Sequence, residues 1–476
     1  MKRICLLTLF LTVLFAGCDG PARLSTSSPE ALRAYEEGVH LFQNFYYGEA
    51  RTAFERALGG DSLFAMGWLR LGVLSYHVED NLRAQRDIRR ALDLSAPATR
   101  REQLFIRMWY NRVFYDAAGA EAAADTLLAE YPDEVEARMF KGHLLELRQK
   151  PDEAIREYRR ALETDPSFAP AVMLLGYAYS SINEQEKAIR QMERYIEMAP
   201  DAADPRASYA DLLIRVGRYE EALDQYERSL ELKPDYWYSL GQIGTIYSWL
   251  GRLKDAERRH RQATDILASG PVGEAQHAGF VAGLHMMRHA FPDAERAYRE
   301  ALVLDSTNLT AHFGLIQALA RMGRFEEAHA VADSLDAELE RRRLKGTQIM
   351  QGFHTARAML LLEEGRYEEA RGECSRALEF AVPISRPSVF RILADIHYRQ
   401  GQLEEALGAC EEALRINPQG PSVLFLLVKV YAAQGEGRMT HEIGARLKEL
   451  WRNADGDFAN ALELRALLAR VTVPPS

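Results

Sequence analysis

GRYEEALDQYERSLELKPD, Gly217 to Asp235, contains no nucleophile with a base beside it and no metal-ligand spacing. Near-copies return at Gly323 (GRFEEAHAVADSL), Gly365 (GRYEEARGECSRALEF) and Gly401 (GQLEEALGACEEALRINP). A stretch repeated without chemistry is a packing instruction, and its period decides the fold. The Ala of each copy marks that period. It falls at Ala50, Ala84, Ala120, Ala154, Ala188, Ala222, Ala256, Ala294, Ala328, Ala370 and Ala406, with most steps 34 or 36 residues and two exceptions of 38 and 42. Pro132, Pro166, Pro200 and Pro234 also stand 34 apart.

Residues 203–236 predict two amphipathic helices and a turn. Tyr209, Leu212, Leu213 and Val216 form the apolar stripe of the first helix. Gly217 ends it, because a helix C-terminus favours a left-handed residue. Glu220 and Glu221 open the second helix, where the helix dipole favours negative charge, so the pair is structural and not catalytic. Ala222 is small where the two helices cross. Tyr226 and Leu230 continue the stripe at helical spacing, and Pro234 stops the helix. One such pair cannot bury its apolar face alone, whereas stacked pairs share a continuous core.

This 34-residue pattern resembles the tetratricopeptide repeat (TPR) family over about residues 31–454. The resemblance implies an all-α TPR solenoid, an α-superhelix of about twelve helix pairs with a C-terminal capping helix. The expected organisation is repeats 1–7 in 31–270, repeats 8–9 in 275–342, repeats 10–12 in 351–454, and a capping helix and tail in 455–476. The last unit, 421–454, carries Thr440 in place of the Ala. Interruptions at 271–274 (PVGE) and 343–350 (RLKGTQIM) are expected as hinges or irregular turns.

In the family, the first helix of each pair lines a concave groove that receives a protein or peptide. Carrying those groove positions over gives Tyr35, Phe42, Tyr76 and Trp109 early in the chain. In the middle it gives Met173, Tyr177, Tyr238, Trp249, Met286, Met287 and Phe313; later come Met359, Arg391, Tyr398 and Arg399. The strongest candidates for partner binding are Tyr177, Tyr238, Trp249, Met286, Met287, Phe313, Tyr398 and Arg399. The Lys and Asn residues of the family's chaperone-tail carboxylate clamp are absent from the corresponding positions.

The chain begins MKRICLLTLFLTVLFAGCDG. Lys2 and Arg3 precede an apolar run from Ile4 to Phe15, which suits a signal-peptide core and is too short to span a bilayer as a helix. Phe15-Ala16-Gly17-Cys18 resembles the lipobox of bacterial lipoproteins, with Phe15 where Leu is usual. The resemblance implies a signal peptide over 1–17, lipidation of Cys18 and a flexible tether over 18–30. It also implies a membrane-anchored protein of the bacterial cell envelope, facing the periplasm or outer surface.

The net charge of −10 argues against general nucleic-acid binding, which needs a basic face. No phosphate-binding loop, dinucleotide fingerprint or HExxH is present, so no enzyme, cofactor or metal is expected. His285 and His289 share a helical spacing, with His277 as a conceivable third ligand, but packing is the favoured role. Glu338 is placed to pair with Arg342 at the head of the basic run 341–345. Cys374 and Cys410 occupy equivalent repeat positions and are expected as separate buried thiols. The expected function is a non-enzymatic scaffold for a protein or peptide partner, with envelope or secretion complex assembly as a candidate setting. A solute- or glycan-binding lipoprotein and a sensor-like TPR module are the alternatives.

Overall fold

The computed structural model describes residues 24–472 apart from 44–45, 78–80, 115, 149, 268–269, 343 and 383–384. Among the described residues there are 25 α-helices and no strands, forming twelve successive pairs and a last helix, Ala459–Arg470.

The marker alanines explain the pairing. All eleven, from Ala50 to Ala406, are 0% exposed, and so is Thr440 in the twelfth unit. Each sits where two helices cross, and a larger side chain there would hold them apart. Four residues later a bulky side chain fills the gap left by a glycine on the paired helix. A Cβ on Gly142 would lie 2.4 Å from the Tyr158 ring, and one on Gly38 would lie 2.5 Å from Phe54. Cys374 and Cys410 take this bulky slot; both are fully buried and free, and burial pushes each thiol up to about 12.

Where a glycine stands five residues before the marker, it has the predicted left-handed conformation. Gly217, Gly251, Gly323, Gly365, Gly401 and Gly435 have φ between 73° and 81°. Asn183 and His289 occupy the same slot at φ 64° and 57°. This corrects the reading of His285 and His289 as one helical face. Helix Pro271–Met287 ends before His289, which lies in the turn. His277 instead faces His260, with their Nδ1 atoms 3.5 Å apart. The Arg after the glycine grips the acid three residues on, as in Arg324–Glu327 at 2.6 Å and Arg252–Asp255 at 2.8 Å. In the basic run, Glu338 pairs with Arg341, not with Arg342, and Lys345 reaches Asp336 and Glu340.

The chain divides into two compact units, Met1–Lys141 and Gly142–Ser476. In the second unit, helix Ile349–Glu363 packs most on its paired helix Tyr367–Phe380 and, of the helices before it, more on Leu309–Arg321 than on Phe325–Arg341, beside the expected interruption at 343–350.

The second unit also makes contacts between residues 169 to about 200 positions apart. The Asp455 amide donates to the Gly251 carbonyl at 2.8 Å, and the Lys254 amide donates to Asp455 Oδ2 at 3.0 Å. Trp451 Nε1 donates to the Trp249 carbonyl at 3.0 Å, Tyr219 donates to the Gln419 carbonyl at 3.2 Å, and Arg288 pairs with Asp457 at 2.8 Å. These separations equal roughly five to six repeats, the point at which small rotations between neighbours bring the array back onto itself. The expected capping role of the last segment is therefore incomplete. Residues 451–458 dock on the seventh and eighth pairs, with Trp451 and Phe458 each 3% exposed. No helix among the described residues is long and apolar enough to cross a membrane.

Candidate functional site

In the first unit, the first helices of four successive pairs meet at one guanidinium. Arg70, on helix Ala65–His77, donates from Nε to the Tyr35 hydroxyl at 3.0 Å and forks onto Glu136 at 3.0 and 2.9 Å. Tyr35 lies on helix Pro29–Gln43 and Glu136 on helix Val135–Leu147. The same guanidinium lies 5.4 Å from the centre of the Phe105 ring, on helix Arg100–Val113. Burial works against the Arg70 charge, but Glu136 and Tyr35 outweigh it and keep the group firmly protonated. Burial also raises the Tyr35 hydroxyl, which stays neutral as the acceptor for Arg70.

These residues floor a groove of about 1460 Å³ whose rim includes Val39, Tyr131 and Val135. Six carboxylates line it, Glu36, Glu102, Glu130, Asp133, Glu134 and Glu136, against two arginines, Arg70 and Arg101. Part of the segment expected as a flexible tether is seated at its edge. Leu24 lines the groove, and the Ser25 amide donates to Glu102 Oε1 at 2.9 Å while its hydroxyl donates to Oε2. The Thr99 amide donates to Glu102 at 2.9 Å and the Glu102 amide donates to the Thr99 hydroxyl, so the segment docks on a helix capping box. Thr26 adds a bond to Asp61 at 2.6 Å. The Thr99-x-x-Glu102 spacing was a legible signal for this helix start; nothing in it indicated that Ser25 would join.

The eight groove candidates belong to the second unit and fall in four places. Tyr177 and Tyr238 meet at Asp211, donating to it at 2.8 and 2.9 Å, and Tyr226 donates to the same carboxylate. Seven residues earlier on the same helix, Asp204 accepts from Tyr195 at 2.7 Å and from Tyr236 at 3.0 Å. Burial, only partly opposed by those hydroxyls, pushes Asp204 up to about 7 and raises Asp211 as well. Trp249 and Met287 share a chamber with Trp451 and Phe458. Met286 and Phe313 pack against the core around Ala282 to Leu360, with Phe313 against Gly352. Tyr398 packs on the C-terminal core, and exposed Arg399 pairs with Glu363 at 2.8 Å. Each of the eight therefore has an intramolecular role, and Met173, 8% exposed, is core. Cys18 lies outside the described residues.

The tetratricopeptide repeat model matches residues 116–170, 143–203, 173–236, 208–245, 287–342 and 355–421, together more than half of the chain. The chain belongs to the tetratricopeptide repeat family. Its repeats make it a protein-interaction scaffold, on a fold that is generally non-enzymatic. Cellulose synthase operon protein C of Pseudomonas fluorescens (strain SBW25) is 25% identical over 224 residues, 46% of this chain and 17% of that protein. The protein of the same name from Xanthomonas axonopodis pv. citri (strain 306) is 28% identical over 193 residues, 40% and 12% respectively. The match thus spans less than a fifth of the length of either relative. Among solved structures, yeast Tom70 is 14% identical with a TM-score of 0.38, covering 92% of this chain and 96% of its own. A thermophilic TPR protein of Thermus thermophilus is 24% identical with a TM-score of 0.34, covering 38% and 97%.

Proposed function

We propose that this TPR protein is a lipid-anchored, non-enzymatic scaffold of the bacterial envelope. In this reading it holds a short, positively charged segment of a protein partner in the groove of its first unit. The observation that carries the reading is the seating of Leu24 to Thr26, a bend of chain closed by the Thr26 amide on the Leu24 carbonyl and held there through an amide and two hydroxyls. A partner strand can use the same kind of bond, because main-chain groups are common to every sequence. Glu130, Glu134 and Glu136 pair with Arg100, Arg101 and Arg70, so Glu36, Glu102 and Asp133 supply the preference for positive charge. Acylation of Cys18 would keep the groove near a membrane, since the six steps from Cys18 to Leu24 reach at most about 20 Å. The two relatives belong to a cellulose synthase operon, which is in keeping with a role in a multi-protein assembly.

The test is charge reversal at the rim. Glu36 and Asp133 are exposed, so Glu36→Lys with Asp133→Lys should leave the melting temperature unchanged. Capture of the native partner should weaken by about tenfold or more, and the loss should shrink at high salt. Capture that is insensitive to both reversals and to salt would overturn this placement of the site.

A further inference from the structure

The chamber in the second unit is made by the long-range closure and has a one-sided electrostatic design. It has a volume of about 240 Å³, and Trp249, Trp451, Phe458 and Met287 supply its apolar wall. Arg391 also lines it, and no Asp or Glu does. Among the described residues Arg391 makes no hydrogen bond or ion pair. The carboxylate that most favours its charge, Asp395, lies one helical turn on and is held by Arg399 at 3.3 Å.

Three helix N-termini open on the same space. Pro387 and Ser388 begin helix Arg386–Arg399, Pro421 and Ser422 begin Pro421–Gln434, and Asn460 lies in the first turn of Ala459–Arg470. None of the three has a side-chain cap. Each carries roughly half a positive charge and amides directed off its end. Burial pushes the Arg391 pKa below the ordinary arginine range, and Arg321 adds to the effect. A half-buried cation without a partner, beside three positive helix ends, is costly to keep unless an anion completes it.

We propose that this chamber binds a small organic carboxylate with an aromatic or apolar body. The carboxylate pairs with the Arg391 guanidinium and the body packs among Trp249, Trp451 and Phe458. The chamber has room for about eight waters, which suits a single small molecule better than a peptide strand. The site goes beyond the groove of the first unit and uses none of its residues. Because its walls come from both sides of the closure, ligand binding also holds residues 451–458 in place.

The full chain is titrated with 3-phenylpropionate, read by the fluorescence of Trp249 and Trp451, and in parallel with 3-phenylpropionamide. We expect saturable binding of the acid. The neutral amide, and the acid with Arg391→Gln, should each bind at least ~10-fold more weakly. Arg391→Lys should recover part of the loss. A decapeptide ending in phenylalanine presents the same terminal group on a chain; competition by it would identify a protein C-terminus as the source, and its absence a free solute. No saturable binding of the acid below ~10 mM would overturn the proposal. So would equal binding of acid and amide, a comparison on the wild-type chain that stands even if Arg391→Gln fails to fold.

Discussion

Two glycines in the same repeat slot should respond differently to the same substitution. Gly401 and Gly251 have nearly identical φ, 74° and 75°. Alanine at either position is held in a left-handed conformation at a cost of about 1–2 kcal/mol. At Gly401 nothing lies within 4 Å of the added Cβ, so that is the whole expected cost. At Gly251 the Cβ would come to 2.6 Å from the Phe458 ring and 2.7 Å from the Ala454 Cβ. Relieving that crowding adds about 1–3 kcal/mol of overpacking and displaces the segment that carries the Asp455 amide. Gly251→Ala should therefore cost about 2–5 kcal/mol against about 1–2 for Gly401→Ala. Repeat arrays need not unfold in one step, so the assay is hydrogen exchange followed at the Asp455 amide, supported by urea unfolding. Gly251→Ala should speed exchange at Asp455 by tenfold or more, whereas Gly401→Ala leaves it unchanged. Equal destabilisation by the two variants, with Asp455 exchange unaffected, would refute the closure.

Further outcomes follow from single residues. Asp204 titrates at about 7 in the fold against an ordinary 3.8, so the folded protein keeps a proton that the unfolded chain releases between those values. Its contribution is complete below pH 3.8 and is lost as pH rises to 7, by up to ~4 kcal/mol. Asp204→Asn should be near neutral at pH 4.5 and stabilising at pH 8. The wild-type/variant difference isolates this from His260 and His277, whose depressed values act in the opposite sense; a difference independent of pH would contradict the burial argument. Asn183→Gly should raise stability by about 0.5–1 kcal/mol in thermal unfolding, because the slot needs φ 64°. Cys374 and Cys410, fully buried and raised to about 12, should react with a thiol reagent only after unfolding; prompt labelling of the native protein would show that their helix pairs open.

The repeat was legible because every copy carries its own packing signals. A small residue at Ala222, a left-handed Gly217 and a ring at Tyr226 act within one helix pair, so their spacing gives the fold directly. His289 was misread because a histidine can fill a glycine slot in a turn, and only the slot's position in the repeat identifies it. The docking of Trp451 on Trp249 was not legible. It depends on a rotation accumulated over roughly six repeats, and no single repeat encodes it. The groove positions carried over from the family gave no sign of their surroundings in the fold. Asp211 takes the hydroxyls of Tyr177 and Tyr238, and the closure takes Trp249. Trp249→Ala with Phe313→Ala is accordingly expected to destabilise the second unit, not merely to weaken capture. Arg70 escaped notice because an arginine among apolar residues at helical spacing resembles a surface charge until four helices are seen to converge on it.

The placement of the partner in the first unit is tested most directly by photocrosslinking in native membranes. A benzophenone side chain is placed at Val39 or Val135 on the groove rim, and at Tyr177 or Phe313 in the second unit. The account predicts that Val39 and Val135 yield adducts with the same protein partner, that Tyr177 and Phe313 yield none, and that the rim adducts fade with Glu36→Lys and Asp133→Lys. Adducts from Tyr177 and Phe313, with none from Val39 or Val135, would contradict it.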